Sequence, residues 1–438
     1  MGSTSLREAE TYIKSLAEAG KVFAITESES ESSSEVQHAR HCALAAASGL
    51  QTLLSEPNHF IQRLAHHIQL LSCLQWLGEF QVLAFIPLMG SVSARDVADL
   101  AGVPESHLCR IVRLTATAGF LHEPQPGHFA HTPLSAPFVT NLSYLDAVMF
   151  LAETAAPAAL QMAAATPSST GGALAEPPAE SAYSLAFHTS RTFQSACEQR
   201  AKLQRQWHAY LHWTGDEGDA IRQLLSGLDW SSLRNARIVE VGAESTETAE
   251  TLATLYPALH FVVQLSKTRA SMATASRSTG RPGPTEAGIA DESGRRISIQ
   301  RRAPGTPQPI KDGAMYILHL PSSSPAVRSA SPSASIIIAD LQAHAAILRE
   351  KPSAMLVVVS DLPPKSGAVD EAAEAKACVR DLSWLQLMNE RAMDIGELMD
   401  LITGVEDGMG HLVVVNKLLS RDSTKLALCV KYQARWVP

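Results

Sequence analysis

The chain has 438 residues, 45% of them hydrophobic and 18% charged, with a formal net charge of −8. That length suits two or three domains with sizeable cores, and the acidic balance gives no global attraction to nucleic acid. Six cysteines without metal-site spacing suit a reducing compartment, and the first residues lack the charged-then-apolar order of a secretory signal, while no stretch approaches the roughly 18 apolar residues of a membrane span.

Residues 1–56 are expected to be helices broken by an acidic linker. Over 5–24, Ser5 and Glu8 have capping-box spacing, and Leu6, Ile13 and Leu16 share a face. Thr26 to Glu35 (TESESESSSE) has the composition of a solvated linker. Its serines also suit phosphorylation, which would add charge to an acidic segment. Helical character resumes over 36–55.

Residues 57–140 open with a stretch, 59–89, that is apolar around most of a helix. Such a helix is buried on several sides or held in a subunit interface. His59, His66 and His67 lie near one another on it. No carboxylate or cysteine stands at ligand spacing, so they read as satisfied polar positions rather than a metal site. Ser93 then caps a short helix ending at Gly102. Pro104 opens a second helix with Leu108, Ile111, Val112 and Thr115 inward, ending at Gly119. Phe120 to Thr132 form a hairpin around Pro124 to Gly127. This order predicts a winged helix, with His107, Arg110 and Arg113 on the outer face of the second helix. Residues 91–132 carry three basic residues against four acidic ones. Neutralising phosphates takes several cations, so the expectation is a dimerisation module without direct sequence-specific DNA binding.

Residues 141–235 read as a helical region. It contains a Pro, Gly and Ser-rich loop over 163–182, and Phe187, Phe193, Trp207, Tyr210, Leu211 and Trp213 as packing residues. Residues 236–438 alternate strands and helices. Predicted strands are 237–241, 260–263, 314–319, 354–360, 411–419 and 425–432; predicted helices are 246–256, 335–348 and 371–401. A long insert, 269–310, interrupts them and reads as a solvated loop. Its Arg295 to Arg302 (RRISIQRR) is the nearest approach to a basic import signal.

The stretch RIVEVGAESTETAETLATLYPALHFVVQ, 237–264, is strand, glycine turn, helix, strand. That is a nucleotide-binding half-unit, whose ligand sits over the helix N-terminus. Its spacing resembles the first motif of S-adenosylmethionine-dependent methyltransferases, an acid followed by three alternating glycines. Here the run is Glu240, Gly242, Glu244 and Thr246, so the second and third glycines are gone. Glu244 puts bulk and charge where the cofactor's carboxylate would approach; two like charges at about 4 Å repel by about 4 kcal/mol at an effective dielectric near 20. The second strand should end in an acid for the ribose hydroxyls and ends in Gln264, whose amide retains some hydrogen-bonding capacity.

At full length, residues 57–438 resemble the plant-type O-methyltransferases. The segments DWSSLRNARIVEVG, YILHLPSSSP and DLSWLQLMNER carry the likeness. It implies an α/β, Rossmann-like class I methyltransferase domain preceded by an all-helical and winged-helix N-terminal region. It also places His319 on the general base and Glu390 on the acid that orients it. Arg301 and Arg302 stand where the adenine-flanking pair is expected, and Leu320 and Pro321 replace the residues after the histidine. His319 is expected at the cleft mouth, where its truncation would cost no more than about 1 kcal/mol.

The run from Leu74 to Val139 resembles more closely the aflatoxin and sterigmatocystin pathway co-activator family of filamentous fungi (the AflS, earlier AflJ, family). That resemblance implies a non-catalytic nuclear partner of a pathway-specific zinc-cluster transcription factor of the AflR type. His319 and Glu390 would be remnants, and the degenerate motif Glu240, Gly242, Glu244, Thr246 and Gln264 would hold no cofactor. A homodimer and no membrane association are expected. The rival is an active S-adenosylmethionine-dependent O-methyltransferase acting on a polyketide phenol.

Overall fold

The computed structural model describes residues 3–26, 34–166, 180–214, 221, 224–243, 245–266, 296–320, 332–363, 371–391, 393–420 and 425–435. The chain divides into two compact units, Met1–Thr140 and Asn141–Pro438.

In the first unit, α1 (Ser3–Thr26) packs on α2 (Ser34–Leu54). α1 begins two residues before Ser5, so Ser5 lies within the helix rather than at its cap. Most of the acidic run, 27–33, lies outside the described residues. α3 (Pro57–Glu79) does not continue to residue 89. Gln81 takes a left-handed φ of 53°, and a short α4 (Val82–Phe85) follows. The break has a packing cause: Leu77, Val82, Leu83 and Ile86 are all buried, and a straight helix would put Leu77 on the face opposite the other three. Two of the three histidines have polar partners. The Glu56 N–H donates to His59 Nδ1 at 3.4 Å, and His66 Nε2 lies 3.3 Å from Thr117 Oγ1.

Ser93 caps α5 (Ala94–Ala101), accepting the Asp96 N–H at 3.1 Å, and Gly102 at φ 67° ends it. α6 (Glu105–Thr117) turns Leu108, Val112 and Thr115 into the core. β1 (Val92–Ser93), β2 (Leu121–Gln125) and β3 (His128–His131) form a small antiparallel sheet, with Gly127 at φ 74° in the turn. His107, Arg110 and Arg113 are exposed.

The second unit starts with helices whose aromatic core is Phe150, Tyr183, Phe193, Trp207 and Tyr210, joined by Trp384 from the later helix Glu371–Met388. Phe187 and Leu211 pack at its margin, and Trp213 stacks on Tyr144. Of the expected 163–182 loop, residues 167–179 lie outside the described residues.

The sheet holds β4 (Arg237–Ala243), β5 (His260–Ser266), β6 (Ile297–Arg302), β7 (Met315–His319), β8 (Met355–Asp361), β9 (Gly410–Leu419) and β10 (Lys425–Ala434). Their order is β6-β5-β4-β7-β8-β10-β9. β10 is antiparallel to both neighbours, and β4 to β8 are mutually parallel. The central strands are apolar on both sides because helices cover both faces. Val239, Leu318 and Val358 meet Leu341 of helix Pro332–Glu350 on one face. Ile238, Ile317 and Val357 meet Leu252 of helix Glu247–Leu255 on the other. The predicted 371–401 helix is two, ending at Met388 and restarting as Ile395–Thr403 under an Asp394–Glu397 capping box.

The insert reading is corrected at 297–302. These residues are not a solvated loop but the edge strand β6, paired in parallel with β5 from Phe261 opposite Ile297 to Ser266 opposite Arg302. The arginines hid it: Arg296 bonds the Ala253 and Pro257 carbonyls, and Arg302 is buried against Asp340. Residues 267–295 lie outside the described residues. Among the described residues no helix is long and apolar enough to cross a membrane.

Candidate functional site

In an open α/β sheet, ligands bind beyond the carboxyl ends of the strands, where the order of strands reverses. Here that point lies between β4 and β7. Glu240, inside β4, is 2% exposed. His319, the last residue of β7, places Nε2 at 2.9 Å from Glu240 Oε1. The register puts Val241 opposite Leu318, so the imidazole folds back past Gly242 to reach the acid. Gly242 permits this twice over. Its φ is 74°, and a Cβ there would stand 3.0 Å from the His319 carbonyl oxygen. The other carboxylate oxygen, Glu240 Oε2, is buried with no hydrogen-bond partner among the described residues.

The resemblance gave the orienting role to Glu390. That residue lies just beyond helix Glu371–Met388, its N–H on the Trp384 carbonyl. The carboxylate facing His319 is instead Glu240. His319 ends the strand with its side chain 15% exposed.

Glu244 lies outside the described residues. Thr246 has an ordinary φ of −93° ahead of the helix Glu247–Leu255 and donates to Glu250 Oε1 at 2.7 Å. Glu247 and Glu250 both sit in the first turn, so the positive end of this helix is already faced by the chain's own carboxylates.

Gln264 does not end its strand; β5 continues to Ser266. Its side chain is fully buried and paired with Gln308, one amide donating each way at 2.8 and 2.9 Å. Gln308 Nε2 also lies 3.3 Å from His344 Nε2, and His344 Nδ1 lies 2.7 Å from the Asp340 carbonyl oxygen. Burial pushes the His344 pKa down to about 4. Asp340 takes Arg302 at 2.6 Å on one oxygen and the Gly305 N–H at 3.0 Å on the other. Arg302 therefore serves an internal ion pair, while Arg301 is exposed on the edge strand. Gln308 and His344 were missed in the sequence. One signal was present: Asp340 and His344, four apart, are the polar residues on the inner face of an otherwise apolar helix.

No protein-family model matches the chain. Among curated proteins, it is 47% identical to the monodictyphenone cluster transcriptional coactivator mdpA of Emericella nidulans, over 92% of this chain and 91% of that one. It is 49% identical to the geodin cluster transcriptional coactivator gedD of Aspergillus terreus, over 87% of this chain and 97% of that one. Among solved structures, LepI in complex with SAM superposes with a TM-score of 0.64 at 14% identity, over 95% of this chain and 98% of that one. The mitomycin 7-O-methyltransferase MmcR does so with a TM-score of 0.57 at 16% identity, over 86% and 98%. These structural likenesses establish the fold, the Rossmann-like α/β fold of S-adenosylmethionine-dependent O-methyltransferases. Relatives of nearly half-identical sequence along most of their length establish the family: the chain belongs to the transcriptional coactivators of secondary-metabolite gene clusters.

Proposed function

We propose that the chain works as a coactivator without methyl transfer, acting in the nucleus on a DNA-bound activator of the zinc-cluster, AflR type. The observation that carries the non-catalytic part is the Glu240–His319 pair. The imidazole that the O-methyltransferase resemblance offers as a base is turned inward onto the first acid of the cofactor motif. Base and cofactor site are thereby spent on each other. The surrounding residues do not fit S-adenosylmethionine: the helix N-terminus carries Glu247 and Glu250, and Gln264 has no exposed surface. The narrower assignment to an aflatoxin or sterigmatocystin cluster rests on the resemblance over 74–139.

The coactivator is proposed to be a homodimer joined through α3. Phe60, Ile61, Leu64 and Ile68 are 58, 63, 51 and 60% exposed, an apolar stripe of the kind that marks an interaction surface. Direct promoter reading is not part of the proposal, because the outer face of α6 offers few cations and Arg113 is drawn to Glu123 at 3.3 Å.

Two measurements test this reading. Calorimetric titration with S-adenosylmethionine is expected to give no micromolar isotherm; a 1:1 isotherm refutes the pseudoenzyme. In cells, His319→Ala at matched protein level is expected to leave pathway transcripts and product intact. Lost product with normal transcripts would mean catalysis.

A further inference from the structure

The buried amides deepen the reading above, on which this inference rests. Gln308 has two donor hydrogens and an oxygen able to accept twice. All four are used. Its oxygen accepts from Gln264 Nε2 at 2.8 Å and from the Ile310 N–H at 3.2 Å. Its amino group donates to Gln264 Oε1 at 2.9 Å and faces His344 Nε2 at 3.3 Å.

This arrangement fixes the state of His344. The Asp340 carbonyl oxygen can only accept, so His344 Nδ1 carries the hydrogen and Nε2 presents its lone pair to Gln308. The ring is neutral, as its burial demands. Asp340, on the same helix, then binds Arg302 and Gly305, so the chain leaving β6 is stitched to helix Pro332–Glu350 at Arg302, Gly305 and Gln308.

Gln264 occupies the strand position where the fold's first motif leads to a ribose-binding acid. A diol at that place needs an acceptor open to the cleft. Gln264 and His344 are each 0% exposed and Gln308 is 5% exposed, and the Gln264 amide is paired at both its oxygen and its nitrogen. We propose that Gln308, held by His344, is an internal stand-in for the nucleoside: it occupies the hydrogen-bonding groups of Gln264, closes that end of the pocket to adenosyl ligands, and clamps the edge strand β6 to the sheet.

The test uses the full chain and S-adenosylhomocysteine, which has no transferable methyl, so that binding alone is read. Hydrogen–deuterium exchange is followed over 260–266, 297–302 and 355–361 in four proteins: wild type, Gln308→Met, Gln308→Ala, and the double variant Gln264→Asp with Gln308→Ala. Gln308→Met keeps the side-chain length and removes the amide, so it separates hydrogen bonding from volume. Loss of the clamp is expected to speed exchange over 297–302 by about tenfold in both single variants, with 355–361 unchanged. The probe is expected to leave wild type unaltered and to slow exchange over 260–266 by about threefold in the double variant. Unchanged exchange over 297–302 in Gln308→Met would overturn the clamp. An unaltered double variant in the presence of probe would overturn Gln308 as the residue that closes the site. Either result leaves the coactivator reading standing, whereas protection of wild type by the probe would remove the closed pocket, and product loss in His319→Ala would separately remove the reading on which it rests.

Discussion

His319 reaches across from the end of one strand to Glu240 inside the next, Nε2 to Oε1 at 2.9 Å, and the acid it meets is 2% exposed. The pair makes the histidine structural. Truncation strands a buried carboxylate whose second oxygen already lacks a partner among the described residues. His319→Ala is therefore expected to cost about 2–4 kcal/mol of folding stability, more than the loss of an unpaired side chain at that place would. Urea denaturation checks it, and a loss below about 1 kcal/mol would show that the pair contributes little.

The stripe on α3 predicts a variant with the opposite profile. Leu64 is 51% exposed, so Leu64→Asp buries no charge within the chain and is expected to change folding stability by no more than about 0.5 kcal/mol. In a dimer joined through α3 the same charge lies unpaired in an apolar contact, where it costs several kcal/mol. Light scattering should find wild type dimeric and Leu64→Asp monomeric at micromolar concentration. A dimeric variant would move the interface elsewhere.

His344 predicts a pH window. Its ordinary pKa is 6.5 and its folded value is depressed to about 4, so on acidification the unfolded chain takes up the proton first. Its contribution is full above pH 6.5, falls as the pH drops from 6.5 to about 4, and is constant below. The slope is about 1.4 kcal/mol per pH unit and the sum roughly 3 kcal/mol. Comparing urea stabilities of wild type and His344→Gln at about pH 7 and about pH 5 should show the wild-type advantage shrinking by about 2 kcal/mol. A constant difference would mean that the ring takes up its proton in the fold as readily as in the unfolded chain.

The helix–helix–hairpin of the first unit is expected to leave no sequence-specific footprint on pathway promoters at physiological salt when the purified full chain is used alone. Added activator should restore a footprint at the activator's own site. A footprint without the activator would make His107, Arg110 and Arg113 a reading face after all.

The regular strands were legible because burial on both faces writes continuous apolar runs, as in YILH and MLVVV. β6 was not, because ISIQRR advertises its arginines, and the carboxylate that neutralises Arg302, that of Asp340, comes from elsewhere in the chain. The break in α3 was likewise invisible: periodicity continues through Gln81, and only the demand to bury Leu77 together with Val82, Leu83 and Ile86 turns the chain. At the site, the sequence named Glu240, Gly242, Gln264 and His319 as remnants of a cofactor motif and of a base, without the partners they hold. Their partners, His319 for Glu240 and Gln308 for Gln264, are 79 and 44 residues away, a distance at which local pattern carries no information.

Gly242 separates two reasons for a glycine. A loop of alternating glycines serves one ligand, yet its places do not share one backbone demand. The position of Thr246 has a φ of −93°, which any residue adopts, so a side chain enters there freely once no ligand must approach. Gly242 answers to a neighbouring strand, through its left-handed φ and the His319 carbonyl oxygen pressed against it. A glycine at that first place is thus demanded by the scaffold whether or not a guest calls, and its presence alone does not report an occupied site.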